Sequence, residues 1–111
     1  MIETTVLNYL EDALPVHSYM ERPEDPEASF VVVSKAGSSV TNRISKANIT
    51  IQSYATTLAE AAALNELVKA AMDEMVVLDS ISKVELNSDY DYTDTSMKAY
   101  RYQAVYVITH Y

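Results

Sequence analysis

A chain of 111 residues, 49% of them hydrophobic and 22% charged, has the length and composition of one ordinary globular domain that can bury a core without staples. It has no cysteine, which excludes disulfides, thiol catalysis and cysteine-ligated metals, and a formal charge of −8 disfavours a phosphate backbone as partner. The presence of only one glycine argues against glycine-rich phosphate loops and dinucleotide-binding folds.

The opening MIETTVLNYLEDALP lacks a basic start and carries Glu3, Glu11 and Asp12, so no secretory leader is expected there. No apolar run approaches the roughly 20 residues that span a bilayer. Residues 4–14 read as a short helix, with Val6, Leu7, Leu10 and Leu14 forming one apolar stripe and Pro15 stopping it. Residues 16–22 are an expected strand. Two prolines and three acids in Arg22-Pro23-Glu24-Asp25-Pro26-Glu27 then force an exposed turn. The run Phe30-Val31-Val32-Val33 is β-branched and aromatic, which predicts a short buried strand over 29–35. Residues 36–42 read as a turn or an extended hairpin arm.

Residues 43–55 alternate, placing Ala47, Ile49, Ile51 and Ser53 on one face and Asn48, Thr50, Gln52 and Tyr54 on the other. Thr57 and Glu60 have the spacing of a capping box, and an alanine-rich helix is expected from there to about residue 75. Its apolar face carries Leu58, Ala61, Leu64, Val68, Ala71, Met72 and Met75, with Asn65 at the margin and in need of a partner. Residues 80–88 predict a strand, residues 89–96 a polar turn, and residues 99–109 a closing strand. In that last strand Tyr100, Tyr102, Ala104, Tyr106 and Ile108 share one face, and Arg101, Gln103, Val105 and Val107 the other. The expected class is therefore α+β, in one domain spanning residues 1–111. Its order is α-β-β-β-α-β-β, with a mostly antiparallel sheet and the helices on one face.

No catalytic, metal-binding or cofactor-binding set is expected. His17 and His110 stand outside any ligand-spaced motif. Asp89 and Asp91 match the start of a calcium loop, but the template's glycine and distal glutamate are missing. The tyrosines stand out: nine of them, with no tryptophan and one phenylalanine. Tyrosine combines large apolar area with a polar tip, a composition suited to a contact surface.

The chain resembles, over nearly its whole length, the small tail-terminator (tail-completion) proteins of long-tailed phages. The resemblance rests on several segments. The helix ending at Leu14 leads to Pro15-Val16 and Tyr19-Met20-Glu21-Arg22-Pro23. The strand Ile49-Thr50-Ile51-Gln52-Ser53-Tyr54-Ala55 enters an alanine-rich helix. The strand Ser82-Lys83-Val84-Glu85-Leu86 is followed, across an acidic loop, by Tyr100-Arg101-Tyr102-Gln103-Ala104. The resemblance implies a non-enzymatic structural protein without cofactor, specific nucleic acid or membrane. It implies a homo-oligomer, a hexameric ring on assembly with a monomer as the open alternative for the isolated chain, and the ring caps the tail tube protein and docks on the head connector or stopper. The location implied is the virion, at the head-proximal end of the tail, after assembly in the host cytoplasm. The candidate assembly segments are the arm Ser38, Ser39, Val40, Thr41 and Asn42 and the loop Asp89, Tyr90, Asp91, Tyr92, Thr93 and Asp94, with Tyr100 and Tyr102 beside them. Removal of residues 89–98 is expected to spare folding and impair assembly. Another neck or head-completion component, and a small non-enzymatic binding domain, are the alternative readings.

Overall fold

The computed structural model describes residues 2–24, 27–41, 43–94, 96 and 99–110. Helix α1 (Ile2–Ala13) buries Ile2, Val6 and Leu10, spaced one turn apart, and Leu14 continues that stripe before Pro15. Strand β1 (His17–Tyr19) is three residues long, shorter than the expected 16–22. The chain leaves the sheet ahead of Pro23, which has no N–H with which to extend a ladder.

Strands β2 (Phe30–Thr41) and β3 (Ile44–Ala55) form a long hairpin, and their 12-residue length sets the 44 Å long axis of the molecule. Residues 36–41 are thus the hairpin arm rather than a turn, admitted to the ladder by a bulge between Lys35 and Gly37. Thr41 pairs with Ile44, and Arg43 in the connection takes φ 67°. That left-handed conformation costs a non-glycine residue about 1 kcal/mol.

Helix α2 (Leu58–Asp73) starts where the cap pattern placed it: Oγ1 of Thr57 accepts from the backbone N–H of Glu60 at 3.1 Å. Such a cap is worth about 1 kcal/mol. The Glu60 carboxylate accepts from the hydroxyl of Thr56 at 2.7 Å. A 3₁₀ turn, Met75–Val77, follows, and strands β4 (Ile81–Asp91) and β5 (Tyr100–His110) close the fold. Strand β4 runs three residues past the expected boundary, so Asp89, Tyr90 and Asp91 belong to the sheet and not to the loop.

Among the described residues the strands form one sheet in the order β1-β2-β3-β5-β4, parallel at β1–β2 and antiparallel elsewhere. The expected class and element order are therefore found. Register fixes the two faces. Ile49 lies opposite Tyr106, Ile51 opposite Ala104 and Val33, and Ala47 opposite Ile108, and all of these are buried under the helices. Leu64, Val68 and Met72 of α2 and Val6 and Leu10 of α1 complete the same core, so both helices cover one face. Tyr9 links the helices by donating its hydroxyl to the carbonyl of Ala71 at 2.6 Å. Burial and the negative charge of Glu74 push the Tyr9 hydroxyl up from its ordinary value. Among the described residues no helix is long and apolar enough to cross a membrane.

Candidate assembly face

The face of the sheet away from the helices is bare, and alternation along the strands decides what it carries. Phe30, Val32 and Ser34 of β2 stand beside Tyr54, Gln52 and Thr50 of β3, followed by Arg101, Gln103 and Val105 of β5 and by Tyr90 and Ser88 of β4. A small cluster of Phe30, Val32 and Tyr54 is buried there, with Tyr19 and Ala99 packed against it. The Phe30 and Tyr54 rings stack at 4.6 Å and 7°, and Tyr19 meets Phe30 edge-on at 6.0 Å. The Tyr19 hydroxyl donates to Glu27. That bond raises the phenol's proton affinity and lowers that of the carboxylate.

Across this face runs a directed hydrogen-bond chain. Nη1 of Arg101 donates to the Tyr54 hydroxyl at 3.0 Å, and that hydroxyl donates to Oε1 of Gln52 at 3.2 Å. Nε2 of Gln52 donates to Oε1 of Gln103 at 2.9 Å, and Nε2 of Gln103 donates to the Tyr90 hydroxyl at 2.6 Å. A guanidinium can only donate, so Arg101 fixes the direction of every following group, including both amide orientations. The proton of Tyr90 is the last in the sequence. Arg101 also donates through Nε to the Tyr92 carbonyl at 2.7 Å, and its guanidinium lies 4.6 Å from the Tyr92 ring centre and 5.7 Å from that of Tyr54. Arg22 approaches Tyr54 at 5.8 Å, and Tyr90 and Tyr92 meet edge-on at 5.9 Å.

The structure divides the sequence-predicted residues between the two faces. Tyr90 and Tyr92 join the bare-face network. Asp89 points to the helix side, where its Oδ2 accepts from Nδ2 of the buried Asn65 at 2.9 Å and from Nζ of Lys69 at 3.0 Å. The amide nitrogen of Asn65 thereby finds the partner its position required, while its Oδ1 is buried without one among the described residues. Lys69, held by Glu66 first and Asp89 second, keeps its proton above the ordinary lysine range. Next to this group the Tyr106 hydroxyl is buried without a hydrogen-bond partner among the described residues. Burial, with the charges of Asp73, Asp89 and Glu66, drives its pKa upward. Asp91 accepts from the backbone N–H and hydroxyl of Thr93 at 3.0 and 2.6 Å, which depress its pKa, and Asp94 accepts from the backbone N–H and hydroxyl of Ser96 at 3.0 and 2.6 Å. The three acids thus serve separate local partners. Tyr100 and Tyr102 lie half-buried on the helix side, opposite Ala55 and Ser53. Ser38 and Val40 share that side at the exposed arm, Ser39 and Thr41 lie on the bare side, and Asn42 is outside the described residues.

Sequence reasoning did not single out Gln52, Tyr54, Arg101, Gln103 or Phe30 as a site. Their facing was visible in the alternation, but that Gln52 falls opposite Gln103, and Tyr54 opposite Arg101, depends on register. Comparison of the sequence with protein-family models finds no match, and comparison with curated proteins finds none either.

Proposed function

We propose that the chain is a structural subunit of a phage or prophage particle, closing with copies of itself into a ring that caps the tail tube and joins tail to head. The observation that carries this reading is the bare sheet face with its ordered Tyr–Gln–Arg network. Tyrosine and arginine are the residues enriched at protein contacts, and here their rotamers are already held by neighbours, so little ordering entropy is lost on docking. The resemblance to tail terminators rests on the segments around Tyr54-Ala55 and Arg101-Tyr102-Gln103, and two of these residues, Tyr54 and Arg101, stand on this face. A net acidic subunit also suits a passage that DNA must traverse without being gripped. The test is electron microscopy of particles assembled without the chain. Overlong or unjoined tails are expected. Normal tails joined to heads would sink the reading, and leaking heads with normal tails would move the chain to a head-completion role.

A further inference from the structure

The charge of the molecule is unevenly placed. Between Glu27 and Glu60 the sequence has no acid at all, while the β2–β3 arm carries Arg43, Lys46 and Lys35, the last 3.6 Å from Glu3 of α1. Strand β4, at the opposite edge of the sheet, carries Glu85, Asp89 and Asp91; Glu85 lies 3.5 Å from Lys83 and Asp89 is taken up by Lys69, which leaves Asp91 as the acid without a cation of its own among the described ion pairs. Both edges are open among the described residues. Strand β1 pairs only with Phe30, Val31 and Val32, so the rest of β2 has no strand on its outer side, and β4 has none on its own. Between its register shifts each edge has regular stretches, residues 37–41 in β2 and residues 83–86 and 88–91 in β4.

We infer that the outer edge of β2 in one copy pairs with the outer edge of β4 in the next, extending the sheet from subunit to subunit. Three features select this occupant. Strand direction alternates through β2, β3, β5 and β4, so a following β2 would lie antiparallel to β4 and continue the pattern. Charge favours the unlike edges, since β4 against β4 would oppose acids to acids and the arm against the arm bases to bases. Apolar surface matches too: Val40, 69% exposed, and Leu86, 43% exposed, both lie on the helix side of their strands and would meet there. An unlike-edge contact is heterologous, and a heterologous contact whose rotation closes makes a ring. The pairing gives the ring-subunit reading its interface, and rests on that reading only for where the ring is used.

Because the chain has no cysteine, introduced thiols report the contact cleanly. A double variant with Val40→Cys and Leu86→Cys, treated at high concentration with a short bis-maleimide, should give a ladder of dimers, trimers and larger species. A mixture of the two single variants should stop at dimers, and neither single variant alone should cross-link. Lys35→Glu should raise the concentration needed for the ladder about tenfold, and Asp91→Lys in the same chain should restore it. Dimers from one single variant alone, or no cross-link in any variant, overturns the proposal. Absence of the ladder beside defective tails would sink the edge contact and leave the tail reading; a ladder beside normal tails would do the reverse.

Discussion

The two faces of the one sheet are built on different principles. Under the helices, β3 and β5 present Ala47, Ile49, Ile51, Ala104, Tyr106 and Ile108, all essentially without solvent exposure, and cohesion there is apolar burial. On the bare side the same strands present Gln52, Tyr54, Arg101 and Gln103, held by directed hydrogen bonds and ring contacts. The difference teaches that a period of two lets one strand serve both stability and recognition, with each substitution falling on one account only. The sharpest way to break the comparison is to truncate a residue on each side. Ile51→Ala should cost about 2–5 kcal/mol in denaturant unfolding. Val105→Ala, half-buried on the bare face, should cost under about 1 kcal/mol. Equal losses would mean that the bare face is also core.

Next in size is the polar contact at the margin of the covered face. Asp89→Ala removes the acceptor of the buried Asn65 amide, and leaving that donor unpaired should cost about 1–3 kcal/mol. Asp89→Asn keeps an acceptor and should recover most of the loss. The removal of residues 89–98 is therefore expected to weaken folding as well as assembly, since Asp89 supports α2 from within β4.

A smaller effect tests whether the bare-face bonds act as one chain. Tyr54→Phe deletes the hydroxyl that receives from Arg101 and gives to Gln52, at a cost of about 1 kcal/mol. Tyr54 and Gln103 do not bond directly, yet a double-mutant cycle of Tyr54→Phe with Gln103→Ala should show coupling of about 0.5 kcal/mol or more. Simple additivity would reduce the directed chain to a set of independent pairs.

Much of the covered face was legible in the sequence. Alternation in residues 43–55 and 99–109 assigned Ala47, Ile49, Ile51, Ser53, Ala104, Tyr106 and Ile108 to the covered side, though not the buried Thr109 to either, and Thr57 marked the start of α2, because both signals are local. What was not legible depends on distant partners. Asp89-Tyr90-Asp91 has turn composition and nonetheless forms strand, because β5 offers a ladder and Lys69 and Asn65 of α2 take in the Asp89 carboxylate. The Gln52–Gln103 bond joins residues 51 positions apart, and only the register of β3 on β5 brings them together.

The smallest predicted effect lies at the β1 edge, where the two faces meet. There Glu11 reaches from α1 to accept from Nδ1 of His17 at 2.6 Å and from the backbone N–H of Ser18 at 2.7 Å. Ser18 faces the core and His17 the bare side, so this clamp fastens the helix across the outermost strand. The bond to Glu11, then its charge, raises the His17 pKa above 6.5, while the bonds from His17 and Ser18 lower that of Glu11 below 4.5. The raised histidine contributes fully below 6.5 and loses its contribution as pH rises through its folded value. The lowered glutamate contributes above 4.5 and loses its contribution as pH falls through its folded value. The clamp is therefore tightest between those two ordinary values and loosens on either side. Both groups are exposed, so the consequence for global stability is slight, and the titration itself is the better reading. In NMR the His17 ring should titrate above 6.5 in the folded chain and fall back toward it in Glu11→Gln. An unchanged midpoint in that variant would mean that α1 is not fastened to the edge strand through this pair, and that the seam between the faces is held by the burial of Leu10 and Leu14 alone.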